Sequence, residues 1–75
     1  MVHRMRFQVM ALVECINPTT PRLTLGATYY VLDISKTGKL KLEPRQGRRI
    51  KGWFGRKAFI VRYSAAEVKR FKPFM

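Results

Sequence analysis

Apolar and polar residues alternate along most of this chain, and clusters of Pro, Gly, Asn and Ser interrupt the alternation every few residues. The run Phe7–Ile16 places Phe7, Val9, Ala11, Val13 and Cys15 on one face of a first strand. Met10, Leu12 and Ile16 make the other face apolar too. That pattern predicts either a strand covered on both sides or one that leaves Met10 and Leu12 in solvent. Asn17-Pro18-Thr19-Thr20-Pro21 ends it, because two prolines and an Asn-Pro step forbid regular pairing. Arg22–Gly26 continues the excursion to a turn at Gly26.

Thr28–Ile34 is dense in β-branched and aromatic residues and predicts the clearest strand. Ser35-Lys36-Thr37-Gly38 reads as a hairpin turn with positive φ at Gly38. Lys39–Glu43 then alternates cleanly, which places Leu40 and Leu42 inward with Tyr29 and Val31, and Lys39, Lys41 and Glu43 outward. Pro44-Arg45-Gln46-Gly47 has the form of a four-residue turn. Ile50–Phe54 predicts a strand with Ile50 and Phe54 on one face and Lys51 and Trp53 on the other. Gly55-Arg56-Lys57 is a turn, and Ala58–Tyr63 predicts a last strand. Ser64-Ala65-Ala66-Glu67 is a capping box, so a short helix should start there and stop before Pro73, with Val68 and Phe71 on one face.

Size narrows the possibilities. With 75 residues the chain is one domain, near the lower end of independent folding. At 47% hydrophobic it has a globular composition. One small core fits; a core plus a deep substrate pocket does not.

Charge adds most. The formal net charge is +12, from sixteen Lys and Arg against four Asp and Glu. Residues 1–35 hold three basic residues against two acidic, whereas residues 36–75 hold thirteen against two. Such an imbalance repels itself, and a polyanion neutralises it. Nucleic acid is the leading partner class, ahead of an acidic protein surface or anionic headgroups.

Catalysis finds little support. Glu14, Asp33, Glu43 and Glu67 show no spacing of a general acid–base or metal pair, and no phosphate-cradling glycine loop occurs. Cys15 is the sole cysteine, so neither an internal disulfide nor a multi-cysteine metal site is available. It sits in an apolar run and is expected to be buried and inert. His3 is the sole histidine and would have to be held beside Cys15 to form a dyad. The expectation is no enzyme, no metal and no cofactor. No run approaches the ~18 apolar residues of a membrane span, and no signal-peptide cleavage pattern follows Phe7–Val13, which predicts a cytoplasmic protein. Met5 and Met10 are further possible start codons.

The densest basic element runs from Arg45 to Lys57. Arg45, Arg48 and Arg49 lie in or beside a turn. Lys51 and Trp53 share a strand face, and Arg56 and Lys57 follow in the next turn. An indole flanked by cations suits a nucleic-acid surface: cations neutralise phosphates and the ring stacks on an unpaired base. The competing structural reading makes Trp53 core or semi-buried and the cations a solubilising surface. Lys36, Lys39 and Lys41 form a secondary basic strip, read first as protection of a sheet edge. The tail Lys69–Met75 mixes cations with Phe71 and Phe74, which could pack on the domain or dock on a partner.

Val13-x-Cys15-Ile16, Leu23-Thr24-x-Gly26-x-x-Tyr29-x-Val31-Leu32, Gly52-Trp53-Phe54 and Phe59 together resemble small SH3-like β-barrel proteins of the kind common in bacteriophage genomes. The resemblance covers roughly residues 7–59. It departs from the family pattern at Lys57-Ala58-Phe59, where an Arg-Phe pair is usual, and in the charge of the second half. With the pattern of five short strands and tight turns it implies a mainly β fold, a small barrel over residues 7–63; the chain's own signals add a flexible N-terminus over 1–6 and a short capped helix with a basic, aromatic tail over 64–75. The resemblance also implies phage origin and action in a bacterial host. The function expected is nucleic-acid binding, DNA or RNA. The alternative is an effector that binds an acidic surface of a host protein or defence complex and inhibits it, and a third reading is a component buried in ribosomal RNA.

Overall fold

A computed structural model describes residues 6–71. Four strands, β1 (Leu12–Cys15), β2 (Thr28–Ile34), β3 (Leu40–Pro44) and β4 (Phe59–Tyr63), precede one helix, α1 (Ala65–Phe71). They form an antiparallel sheet in the order β3-β2-β1-β4. The fold is mainly β, as the alternation predicts. The sheet is not closed into a barrel: β3 and β4 remain its two edges.

The central hairpin follows its local signals. Val31 pairs with Leu42 and Tyr30 with Glu43. The turn between them closes with the Ser35 N–H donating to the Lys39 carbonyl at 2.8 Å, while the Ser35 hydroxyl accepts from the Lys39 N–H at 2.9 Å. Gly38 has φ +85°, which is open to glycine without strain. Tyr29, Val31, Leu40 and Leu42 all point into the core with Val13, Cys15, Phe54 and Phe59. Tyr29 and Phe59 meet edge to face at 5.9 Å.

Four expected strands differ, one of them only in that β3 runs over Leu40–Pro44 rather than Lys39–Glu43. The first is Leu12–Cys15 rather than Phe7–Ile16. Met10 adopts φ +75°, and the Ala11 N–H donates to the Gln8 carbonyl, so the chain turns before it enters the ladder. Ile50–Phe54 is not a strand. Gly52 has φ +110°, which breaks the extended run, and only Phe54 bridges to Leu40. The last strand starts one residue later than expected, because Arg56–Ala58 forms a turn of 3-10 helix. There are therefore four strands and one isolated bridge among the described residues, not five strands.

Both faces of β1 are covered. Val13 and Cys15 face the main core, and Leu12 packs with Tyr30 and Val68 beneath α1. Met10 stays exposed. The capping box forms as expected: the Glu67 N–H donates to the Ser64 hydroxyl at 3.2 Å, and the Ser64 N–H donates to the Glu67 carboxylate at 3.0 Å. That contact holds the Glu67 carboxyl below its usual range. The expected roles of His3, Pro73 and the Phe71 and Phe74 side chains lie outside the described residues.

Candidate nucleic-acid interface

The segment from Arg45 to Trp53 leaves β3 and runs back beside it, and a groove opens on each side of it. The first groove, about 510 Å³, lies against the start of β2 and carries Arg22, Arg45 and Arg48. The second, about 520 Å³, lies against the outer face of β2 and β3 and carries Lys41, Arg49, Lys51 and Trp53. Ile50 lines both and packs on the core, so it anchors the ridge between them.

Trp53 is 44% exposed. It is not a core residue; the core position on this segment belongs to Phe54. The second groove also holds Leu32, exposed on the face opposite buried Val31 at the point where the β2–β3 register shifts. An indole and an isobutyl group therefore share a groove with three cations.

Two of the expected cations fall elsewhere. Neither Arg56 nor Lys57 lines either groove. The Arg56 guanidinium lies over the β2–β3 turn, where a Cβ on Gly38 would come to 3.0 Å of it. Arg56 thus joins the hairpin end that carries Lys36 and Lys39. Lys41 goes the other way: the outward face of β3 brings it into the groove of Trp53. The basic residues divide into a ridge with two grooves and a separate hairpin-end patch.

Sequence reasoning missed Arg22. Its guanidinium stacks 5.0 Å from the centre of the Phe54 ring, and its Nη1 donates to the Lys51 carbonyl. The same guanidinium fills the space over Gly52, where a Cβ would lie 3.0 Å from Nη1. Arg22 therefore supplies the polar partner that a sheet ladder would have given Lys51. No short-range signal marks it, since the two residues lie 29 apart in sequence.

The described residues contain one ion pair, Arg62 with Glu14 at 2.6 Å across β1 and β4, and that contact raises the Arg62 pKa. Arg45, Arg48, Arg49, Lys51 and Lys41 have no carboxylate partner there. A polyanion can neutralise charges that are left without an ion pair in this way. Cys15 is fully buried, and no group of three or more His, Cys, Asp or Glu among the described residues is placed to hold a metal ion. No helix among them is long and apolar enough to cross a membrane.

No protein-family model matches the chain, and no curated protein or solved structure is significantly similar to it.

Proposed function

We propose that this protein is a non-enzymatic nucleic-acid-binding module that grips a single strand along the ridge from Arg45 to Trp53. One observation carries the reading: an exposed tryptophan lies in a groove with Lys41, Arg49 and Lys51, which form no ion pair among the described residues and outnumber the one carboxylate there, Glu43, by three to one. Aromatic stacking on a base and cationic contact with flanking phosphates are the two parts of single-strand binding. Arg45 and Arg48 in the adjoining groove extend the phosphate track, and the hairpin-end cations Arg56, Lys36 and Lys39, with Lys57, add long-range attraction. In this reading the sheet, with Phe54 bridged to β3, is an open form of the SH3-like barrel, and the protein acts in the cytoplasm of a phage-infected bacterium.

Trp53 is the only tryptophan, so its fluorescence reports on the groove directly. Titration with short DNA and RNA single strands at low salt should quench or shift that emission. Trp53→Ala should weaken binding by about 1–3 kcal/mol with the fold retained. No measurable affinity for either polymer at low salt would refute the reading.

One feature favours a second reading. Leu32 and Trp53 form a small exposed apolar centre rimmed by cations, which also suits an acidic surface of a host protein. Capture of the same host protein from lysate, before and after nuclease treatment, would support that reading instead.

A further inference from the structure

The four carboxylates of the chain have different surroundings. Glu14 pairs with Arg62, Glu67 caps α1, and Asp33 accepts from the Ile34 N–H at 2.8 Å. The Glu43 side chain has no hydrogen-bond or ion-pair partner among the described residues. Yet it is half-buried and lines the groove of Trp53, beside Lys41, Arg49 and Lys51. An ionised carboxylate is an acceptor only. Within a groove built for phosphate alone it would repel the ligand. It is favourable where the ligand presents N–H donors.

We propose that Glu43 reads the edge of the unpaired base stacked on Trp53, and that the base it selects is guanine. This rests on the nucleic-acid reading above. Guanine offers its ring N1–H and its exocyclic amino group side by side, which match the two oxygens of one carboxylate. Adenine and cytosine each offer one amino group beside a ring nitrogen whose lone pair faces the carboxylate. Thymine and uracil offer one N–H flanked by two carbonyl oxygens, which repel it. Guanine is therefore first, and thymine or uracil last. Charge-assisted pairs of this kind are the strong ones, and two parallel bonds add geometric selectivity. β3 fixes the position of Glu43, because its backbone is paired with Tyr30, while the segment opposite supplies the indole. A groove of about 520 Å³ falls within the range of small-ligand sites.

The test uses oligothymidylates of about ten nucleotides that carry one central guanine, cytosine, adenine or thymine. A single guanine avoids the self-association of guanine runs. Binding is followed by Trp53 fluorescence at one low salt concentration. The guanine oligonucleotide should bind at least about fivefold more tightly than the all-thymine one. Glu43→Gln should abolish that preference, yet bind the all-thymine strand as well as the wild type or better, with an unchanged circular-dichroism spectrum. Equal affinity for all four strands would overturn the role of Glu43 and leave the nucleic-acid reading standing. A preference that survives in Glu43→Gln would overturn it too. If no strand binds, both fall together.

Discussion

The salt dependence of binding tests the two-groove geometry most directly. Five cations that form no ion pair among the described residues line the grooves: Arg45 and Arg48 on one side of the ridge, Lys41, Arg49 and Lys51 on the other. Arg22 is left out of the count, since it is committed to Phe54 and the Lys51 carbonyl. Each phosphate contact on a single strand contributes about −0.7 to the slope of log K against log salt, so five contacts give a slope of about −3.5. Raising the salt from about 50 to 200 mM should then weaken binding roughly a hundredfold. A strand confined to the groove of Trp53 would show a slope of only about −2, and a loss of roughly fifteenfold. Fluorescence anisotropy of a labelled oligonucleotide across four or five salt concentrations gives the slope. Arg48→Ala and Lys51→Ala should each reduce it by about 0.7, whereas Lys57→Ala, outside both grooves, should leave it unchanged. A slope near zero at undiminished affinity would refute phosphate binding. An equal reduction for Lys57→Ala would show that charge density, and not the grooves, guides the strand.

Leu42 is 2% exposed in the main core. Leu42→Ala should therefore cost about 2–5 kcal/mol in urea denaturation, a large part of the roughly 4–11 kcal/mol expected for a domain of this length; a near-neutral result would contradict the β2–β3 register. Arg22→Ala removes the partner of the Lys51 carbonyl, and should broaden the Trp53 emission response and weaken oligonucleotide binding several-fold with little change in the sheet's circular-dichroism signal. Unchanged binding would show that the ridge holds its shape without Arg22. Glu67 is held below its ordinary pKa of 4.5 by the Ser64 contact. Its contribution to stability is present above that value and is lost as pH falls through the lowered folded-state value. The amide shifts of α1 should therefore move toward coil in acid in the wild type but not in Glu67→Gln, which keeps the cap without the titration. Cys15 should react with thiol reagents only at the rate of global or local opening, because its sulfur is shielded in the core.

What the amino-acid order determines unaided here is local. The Ser35–Gly38 turn, the inward set Tyr29, Val31, Leu40 and Leu42, and the Ser64–Glu67 cap depend on residues a few positions apart. Alternation and turn chemistry act at that range, so these features were legible. So was the basic segment from Arg45 to Lys57, as composition. Its arrangement was not. Ile50–Phe54 has the alternation of a strand, but Gly52 takes a positive φ and Arg22, from a distant loop, occupies the Lys51 carbonyl. Whether Trp53 or Phe54 enters the core is decided by which of them reaches Leu40 across the bridge. Lys41 and Glu43 read as the outward residues of an edge strand. They become groove residues only because the chain after β3 folds back over that face. Leu12 likewise could be assigned to solvent or to a covered face until α1 laid Val68 on it. In each case the deciding contact joins segments far apart in sequence, and its free energy depends on how the sheet, the loops and the helix come together, which no local pattern encodes.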